Sequence, residues 1–546
     1  MPDMLERRRD ATQPAGRVYD AVIVGAGFSG LYELHLLRDK LGLSAIVLEA
    51  GDDVGGTWYW NRYPGARCDS ESYSYCYSFD HELEQEWCWS ERYPGAAEIR
   101  RYLGHVADRF ELRRDIRFDS RVNAASFNDA TNLWTIRTQD GHELKAHFFI
   151  TAVGCLSSAN VPAIRGLERF GGQWYHTGQW PHEGVDFTGK RVGLIGTGST
   201  GIQAAPVIAE QAAQLTVFQR TANYSVPARN GPLDPEIMAK VKAEYRVIRD
   251  RMRSNINGHP YVIRKESALD VSNEERLRRY EEGWELGGLG FRGVFGDLLR
   301  NKAANDTASD FIRAKIRSIV KDPETARMLT PTDHPFASKR PPIDTNYFET
   351  FNRPNVSLVD VRTAPIQEIT DRGVRTSDTE YELDAIVFAT GFDAMTGPLL
   401  AMGITGSGDR SLREDWSAGP RTYLGLQVPG YPNMFTVTGP GSPSVLCNMP
   451  VAIEQHTQWI AACIKHLGET SKTRIEADAS AADAWIAHVN DAANETLLPL
   501  ANHSWYLGAN VPGKPRVFMP YAGGMARYAA TCEEVARQGY RGFKVT

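Results

Sequence analysis

Apolar residues along this chain come in short runs that are followed by glycine-rich turns. Residues 19–24 form a β-branched run, which predicts a buried parallel strand, and residues 31–41 then carry apolar positions at helical spacing. A second apolar run at residues 45–48 predicts the next strand. Strand, glycine turn, helix and strand in this order predict a parallel β–α–β unit.

The same order returns in the middle of the chain. Residues 191–195 predict a strand, residues 202–212 a helix and residues 215–218 a further strand. Between residues 234 and 329 the chain becomes charged and helical in character. The sequence therefore predicts an α/β fold with two Rossmann-like units and a helical insert in the second.

The first glycine turn has the chemistry of a dinucleotide-binding site. Gly25 permits the tight turn, Gly27 lets the backbone approach a pyrophosphate, and Gly30 lets helix and strand pack closely. The phosphates would then lie at the helix N-terminus. Glu49 ends the second strand and is expected to accept hydrogen bonds from a ribose diol, which suits FAD. A glycine-rich turn without a ligand is the alternative.

The second glycine turn has a different strand end. The strand after it leads into Arg220 and Thr221 rather than into an acid, and Arg220 can clasp a 2′-phosphate through its forked donors. This site therefore suits NADPH; a solvated arginine is the alternative for Arg220. The residues assigned to this site are Gly196, Thr197, Gly198, Ser199, Thr200, Gly201, Gln203, Arg220 and Thr221.

Composition narrows the class of protein. The 546 residues predict two or three packed units, and a net charge of −6 argues against a nucleic-acid partner. No apolar run approaches the ~20 residues that cross a bilayer. Residues 1–17 are polar, so we expect no signal peptide. Seven scattered cysteines without a Cys-x-x-Cys motif suit reduced thiols in the cytoplasm, and no metal site is assigned.

Two unusual segments accompany the glycine turns. Gly-Gly-Thr-Trp-Tyr-Trp-Asn-Arg-Tyr-Pro-Gly-Ala-Arg-Cys-Asp spans residues 55–69, and Phe-x-Gly-x-x-x-His-x-x-x-Trp-Pro spans residues 170–181. With both, the chain resembles the type I Baeyer–Villiger monooxygenases, class B flavoproteins that convert ketones to esters or lactones. It looks most similar to the phenylacetone and steroid monooxygenase branch, with which it shares the stretches 439–444 and 504–510.

The resemblance implies an FAD domain built from both ends of the chain and an inserted NADPH domain. We expect residues 1–155 and 389–546 to form the FAD domain, and residues 156–225 and 335–388 to form the NADPH domain. Residues 226–334 are the expected helical insert. Apolar strand-like runs precede residues 151–154 and 389–391, which are expected to be the two crossings between the domains.

The resemblance also implies the catalytic groups. Arg340 would stabilise a flavin C4a-peroxide and the ketone adduct, since arginine keeps its proton near neutral pH. Asp69 would orient Arg340 and balance its charge. Lys339 would contact the 2′-phosphate together with Arg220, and Trp505 would cover the bound NADPH. The structural alternatives are a solvated Lys-Arg pair, a turn-capping aspartate and a buried tryptophan.

The remaining contacts are carried over position by position. His176 would lie in a linker that couples nicotinamide movement to the flavin site, and a structural histidine is the alternative. Cys155 departs from the phenylacetone branch, so that branch's substrate preference is not transferred. The expected flavin contacts are Ser29, Thr57, Trp58, Tyr75, Val122 and Met449; the expected ketone pocket is Val445 and Leu446, with Thr57, Ser70 and Cys155 near it.

The expected reaction is the oxidation of a ketone by NADPH and O2, with FAD as cofactor and sulfoxidation as a side activity. We expect a monomer or a weak homo-oligomer without membrane partners. One alternative is a flavin monooxygenase that acts on nitrogen or sulfur, against which Trp180 and Pro181 argue. The other is a non-catalytic nucleotide-binding redox sensor, which would be expected to lose Arg340 or Asp69. A disulfide reductase is excluded because Cys68 and Cys76 are too far apart for its motif.

Overall fold

The computed structural model describes residues 17–546. Residues 1–16, and with them nearly all of the N-terminal segment for which we expected no signal peptide, lie outside the described residues. None of the helices in residues 17–546 has both the length and the apolar character that crossing a membrane requires.

The strands and helices of residues 17–546 alternate along most of the chain. The strands are β1 (Val18–Val24), β2 (Ala45–Leu48), β3 (Ile116–Arg117), β4 (Val122–Asn128), β5 (Leu133–Thr138), β6 (Glu143–Thr151), β7 (Gln173–His176), β8 (Arg191–Ile195), β9 (Gln214–Gln219), β10 (Val226–Pro227), β11 (Ile343–Asp344), β12 (Val356–Asp360), β13 (Ile366–Ile369), β14 (Gly373–Thr376), β15 (Glu380–Glu382), β16 (Ala385–Phe388), β17 (Ile404–Thr405), β18 (Met434–Thr436), β19 (Ile475–Ala477) and β20 (Phe543–Val545).

The α-helices are α1 (Phe28–Leu34), α2 (Thr57–Trp60), α3 (His81–Glu86), α4 (Ala96–Arg109), α5 (Ser199–Gln211), α6 (Pro235–Ser254), α7 (Asn273–Leu286), α8 (Lys302–Ile319), α9 (Pro323–Leu329), α10 (Tyr347–Thr350), α11 (Gly397–Leu400), α12 (Leu412–Asp415), α13 (Met449–Glu469), α14 (Ala479–Asn494) and α15 (Met525–Arg537).

The first sheet is built from both ends of the described chain. Its strand order is β17-β4-β5-β6-β1-β2-β3, and β18 pairs with the end of β6. The central strand β1 runs parallel to β2 and β6, whereas β4, β5 and β6 are joined antiparallel. Every residue of β2 and most of β1 are buried, as expected for strands covered on both faces.

The second sheet is wholly parallel, in the order β12-β9-β8-β16-β7. The chain leaves the first sheet after β6 and returns to it after β16. Between β10 and β11 lie helices α6 to α9, which form the predicted helical insert. The protein is therefore an α/β fold with two Rossmann-like sheets, as the sequence predicted, while the domain boundaries given above stay predictions.

The predicted strands and helices of both glycine units are confirmed, but both helices begin three residues earlier than expected, at Phe28 and at Ser199. The helix expected over residues 31–41 begins earlier, at Phe28, directly after the glycine turn, and widens into a π-helix over His35–Lys40. The early start turns its first backbone N–H groups towards the glycine turn. A buried ion pair, Arg249 to Glu84 at 2.8 Å, fastens α6 of the insert to α3.

Candidate active site

The first glycine turn packs directly against the chain where it leaves the first sheet. Gly25 has φ +104°, and a Cβ there would lie 2.6 Å from the carbonyl oxygen of Ala152. A Cβ at Gly30 would lie 1.8 Å from the carbonyl oxygen of Gly25. Only glycine satisfies both contacts, so the turn holds its backbone open at the N-terminus of α1.

The second glycine turn repeats this arrangement. Gly196 has φ +113°, and a Cβ there would lie 2.4 Å from the carbonyl oxygen of Ala389, where the chain leaves the second sheet. A Cβ at Gly201 would lie 2.1 Å from the carbonyl oxygen of Gly196. At each point where the chain passes from one sheet to the other, it therefore packs against the glycine turn of the sheet that it is leaving.

Glu49 is fixed at the end of β2. Its two carboxylate oxygens accept hydrogen bonds from the backbone N–H of Ala26 (2.6 Å) and of Gly51 (2.8 Å). Burial raises the pKa of Glu49, and these backbone donors act against that rise. The carboxylate is thus held rigidly beside the first glycine turn, and its contact with a ribose stays a prediction.

The segment of residues 55–69 joins the two glycine units. At its start, a Cβ on Gly56 would lie 2.8 Å from the Cα of Gly27. At its end, the Tyr63 hydroxyl donates to Oε1 of Gln203 on α5 (2.8 Å), and Nε2 of Gln203 donates to the carbonyl of Arg67 (3.1 Å). The structure thus engages the Gln203 amide with this segment, and its predicted contact with a nucleotide stays a prediction.

Arg340 and Asp69 form a two-pronged ion pair between the loop before β11 and the segment of residues 55–69. Nε of Arg340 donates to Oδ2 of Asp69 and Nη2 donates to Oδ1, each over 2.7 Å. The third nitrogen, Nη1, donates to the backbone carbonyl of Val445, also over 2.7 Å. Both side chains are about one-fifth exposed. The guanidinium is therefore held in one orientation by groups from two distant parts of the chain.

The charges of this pair stabilise each other. Burial acts to raise the pKa of Asp69, but the Arg340 guanidinium outweighs burial and holds that pKa below its ordinary value. Burial acts to lower the pKa of Arg340, and Asp69 reverses this and raises it. Burial together with the Arg340 charge lowers the pKa of nearby His259 to about 3, so that this imidazole is neutral at pH 7.

The short loop that carries Arg340 is held by hydrogen bonds on both sides of this residue. The fully buried Asn305 of α8 brackets Phe336, donating from Nδ2 to its carbonyl (2.8 Å) and accepting from its N–H (3.0 Å). Beyond Arg340, the carbonyl of Pro342 accepts from the N–H of Val226. Ala337 has φ +60°, a strained conformation that such anchoring sustains.

A cavity that we call the Arg340 cavity opens beside this pair. Val445 and Leu446, predicted from the sequence as pocket residues, lie in its wall with Arg340. Thr57, Ser70 and Cys155 are not among its lining residues; Cys155 packs in an apolar cluster with Val445 behind the wall.

The opposite wall comes from the helical insert and was missed by the sequence reasoning. It includes Asn257 and Tyr261 from the turn after α6, and Arg292 from the 3-10 turn Leu289–Gly293. The signal was present in the run Asn-Gly-His-Pro-Tyr at residues 257–261, because such a run must interrupt a helix.

A second positive site surrounds Arg220 and Lys339. Arg220 is exposed directly after β9. Burial lowers the pKa of Lys339 and the Arg220 charge lowers it further, while Asp333 acts against both. Burial lowers the pKa of His503, and the charges of Arg220 and Lys339 lower it further. Trp505 lies two residues beyond His503, so its turn is also close to these two cations. This cluster has the charge that a 2′-phosphate requires.

The predicted flavin contacts lie around the first sheet. Trp58 and Tyr75 meet edge to face with ring centroids 5.8 Å apart, and the Trp58 Nε1 is buried without a hydrogen-bond partner among residues 17–546. Ser29 is buried in the first turn of α1. Val122 begins β4, Met449 begins α13 and Thr57 is exposed at the start of α2.

His176 is buried at the end of β7. Its Nδ1 accepts a hydrogen bond from the N–H of Gly178 (3.0 Å), and its ring meets Phe392 edge to face where the chain returns to the first sheet. Burial lowers the pKa of His176, so the ring is neutral at pH 7. This placement suits a structural or coupling role better than proton transfer.

Comparison with known proteins gives one consistent result. Residues 19–243 match the model of the flavin-binding monooxygenase-like family. The acetone monooxygenase (methyl acetate-forming) of Gordonia sp. (strain TY-5) is 43% identical, over 96% of this chain and 99% of that protein. A Baeyer–Villiger monooxygenase of Pseudooceanicola batsensis is 44% identical, over 97% of this chain and 96% of its own length. The structure of oxidised steroid monooxygenase bound to NADP is 53% identical, with a TM-score of 0.92 over 97% of this chain and 99% of that one.

Proposed function

The chain belongs to the Baeyer–Villiger monooxygenases, and on that premise we propose that it uses FAD, NADPH and O2 to convert ketones into esters or lactones. The observation that carries this proposal is that Arg340, which lines the Arg340 cavity, is held in place by a two-pronged ion pair with Asp69. A fixed cation at an enclosed site is what a reaction with developing negative charge on oxygen requires.

The residues of the first site fit FAD. The glycine turn leaves no room for a Cβ at Gly25 or Gly30, Glu49 is held at the strand end, and Trp58 offers a buried, unpaired indole N–H among the described residues. Ser29, Thr57, Tyr75, Val122 and Met449 are the further proposed contacts. When bound and reduced by NADPH, FAD supplies the activation of O2.

The residues of the second site fit NADPH. Gly196 and Gly201 keep the second turn open, while Arg220 and Lys339 form a cationic pair without an acid at the strand end. A 2′-phosphate between them would relieve their mutual repulsion. NADH has no 2′-phosphate and cannot do this. We propose Thr197, Gly198, Ser199, Thr200, Gln203, Thr221 and Trp505 as further contacts.

Arg340 stabilises negative charge on the reacting oxygen atoms. Its guanidinium stays protonated, because Asp69 raises its pKa beyond what arginine already provides. Asp69 orients the Arg340 guanidinium and balances its charge, which offsets the free-energy cost of burying that charge. The apolar side chains of Val445 and Leu446 help to keep water from the site.

The ketone carbonyl is expected to lie against Arg340, where the guanidinium would stabilise negative charge that develops on the carbonyl oxygen. Aryl, cyclic and bulky ketones are candidate substrates, and sulfoxidation is a proposed side activity. A related nitrogen- or sulfur-oxygenase is less favoured because Trp180 and Pro181 are present, and a non-catalytic sensor is less favoured because the Arg340–Asp69 pair is intact. All seven cysteines are unpaired, which supports the proposed cytoplasmic location. We also propose that the protein is a monomer or a weak homo-oligomer.

The test is product analysis with the purified holoenzyme. In the presence of NADPH, O2 and phenylacetone we expect benzyl acetate, with one NADPH oxidised per ester formed and one O2 consumed. NADPH oxidation that yields only hydrogen peroxide, with no ester from a panel of aryl, cyclic and bulky ketones, would refute the proposal.

A further inference from the structure

A second guanidinium lies in the wall of the Arg340 cavity. Arg292, at the end of the 3-10 turn Leu289–Gly293, lines the cavity together with Arg340. The charge of Arg340 is balanced by Asp69 through two hydrogen bonds. Arg292 differs, because its Nε is buried and has no hydrogen-bond partner in residues 17–546.

The acid nearest to Arg292 along its own loop is engaged elsewhere. The Asp297 carboxylate accepts hydrogen bonds from the hydroxyl of Ser267 (2.6 Å) and from the N–H of Ala268 (3.1 Å). The Arg292 charge is instead directed at the cavity. Burial raises the pKa of Tyr506, a lining residue, and the charges of Arg340 and Arg292 both act against that rise.

A third arginine, Arg300, also lines the cavity but is exposed, and much of the remaining wall is apolar. Ile256, Ile263 and Leu298 line the side formed by the insert, and Val445 and Leu446 line the other. A neutral ketone would use the apolar walls and Arg340, but it would leave the buried Nε of Arg292 without a hydrogen-bond acceptor, which is unfavourable. A substrate that brings its own anion would pair with that charge.

We propose that Arg292 is a specificity-determining residue that binds the carboxylate of a keto acid whose ketone lies at Arg340. The inference rests on the proposed function and names its substrate class: ketones that carry a carboxylate on an apolar body. Guanidinium and carboxylate match in two parallel hydrogen bonds, which fix the orientation of the substrate as well as its affinity.

Two ketones of the same skeleton test this proposal, 4-phenylbutan-2-one and 4-(3-oxobutyl)benzoate. We expect the wild-type holoenzyme to favour the carboxylate by about ten- to a hundredfold in kcat/KM, the range of a charge-assisted hydrogen-bonded pair. Arg292→Leu should abolish this preference, so that the ratio of the two kcat/KM values falls to about one. Arg292→Lys should retain part of it, because the charge remains without the fork.

Arg264→Leu is the matched control, since Arg264 is an exposed arginine of the same insert that does not line the cavity. It should keep the wild-type preference. The inference is overturned if Arg292→Leu lowers kcat/KM equally for both ketones. It is also overturned if this variant alters only the KM for NADPH, because Arg292 would then serve the cofactor.

A binding measurement without turnover separates this inference from the proposed function. Calorimetric titration of 4-(3-oxobutyl)benzoate into the oxidised holoenzyme with NADP+ should show binding that weakens with salt and is lost in Arg292→Leu. If neither ketone is oxidised while this Arg292-dependent binding is observed, the proposed function fails and the anion site is supported. Binding that is equal in wild type and Arg292→Leu would overturn the anion site.

Discussion

Arg340 and Asp69 are 271 positions apart in the chain, yet they are joined by two parallel hydrogen bonds of 2.7 Å each. The aspartate closes the segment of residues 55–69, which follows β2, and the arginine lies on the loop that leads into β11. One ion pair thus joins these two parts of the chain beside the Arg340 cavity, so that the orientation of the guanidinium depends on how they pack.

The first prediction concerns the charge of Arg340. Arg340→Ala should lower ester formation by about 100- to 1,000-fold, the loss typical of a missing oxyanion-stabilising donor. NADPH should still be oxidised, with hydrogen peroxide as the product, because the other residues proposed to bind FAD and NADPH are unchanged. Arg340→Lys should lie between wild type and Arg340→Ala. The ratio of ester to NADPH consumed measures this, and a ratio equal to that of wild type in Arg340→Ala would contradict it.

The second prediction concerns Asp69. Asp69→Asn keeps the shape of the side chain but leaves a buried guanidinium without its counter-charge, which should destabilise the fold by about 3 kcal/mol at pH 7. The Asp69 pKa is depressed in the folded protein, so its stabilisation is present above the ordinary value of 3.8 and is lost as pH falls through the lowered pKa. Urea unfolding should therefore show a gap between the two proteins at pH 7 that narrows below about pH 4. A gap independent of pH would contradict this account.

Much of the fold could be predicted because it depends on local sequence patterns. The strands 19–24 and 45–48 and both glycine turns follow from β-branched runs and from positions where only glycine fits, and both are local properties. The wall of the Arg340 cavity was not predictable in the same way. Arg292 and Tyr261 reach it because the insert packs against the chain at Asn448 and Met525, and no local pattern records such a long-range contact.

The Gln203 amide shows the same limit at the second glycine turn. Its position in α5 suggested a nucleotide contact, but the folded chain uses it to hold Tyr63 and Arg67. The sequence motif gives the location of a side chain near a site. It does not give the partner that the side chain has in the tertiary structure.

The third prediction concerns cofactor preference. Arg220→Ala should raise the KM for NADPH by about tenfold or more and leave the KM for NADH little changed, because only NADPH carries the 2′-phosphate. The Lys339 pKa is lowered in the folded protein, so the KM for NADPH should rise as pH increases through that pKa, when the ammonium loses its proton. In Arg220→Ala this rise should begin at higher pH, since one cause of the lowered pKa is gone. Equal effects on both nicotinamides would contradict the assignment.

The fourth prediction concerns flavin retention. Gly25→Ala places a Cβ 2.6 Å from the carbonyl oxygen of Ala152 at φ +104°, so the first glycine turn must open. We expect the purified variant to carry much less FAD per chain than wild type, measured from flavin absorbance against protein. Gly42→Ala is the control, because Gly42 also has a positive φ, +69°, but a Cβ there meets no atom within 4 Å. Equal flavin loss in both variants would assign the effect to backbone strain alone.

The last prediction concerns a buried acid that the reaction does not use. Asp344 of β11 accepts from the Ser225 hydroxyl (2.6 Å) and from the N–H of Tyr347 (3.2 Å), and burial raises its pKa to about 6. Because the folded-state pKa is raised, the unfolded chain ionises first as pH rises from 3.8, and stability should fall between about pH 4 and pH 6 by roughly 2–3 kcal/mol.

Asp344→Asn tests this by replacing the acid with its neutral isostere. The amide oxygen can accept from the Tyr347 N–H and the amide nitrogen can donate to the Ser225 hydroxyl, so the variant matches the protonated wild-type pair. It should therefore equal wild type at about pH 4 and exceed it in stability above about pH 6, as measured by urea unfolding of the holoenzyme. A variant that is less stable than wild type at pH 7 would show that the folded protein stabilises the ionised Asp344, so that its pKa is not raised by folding.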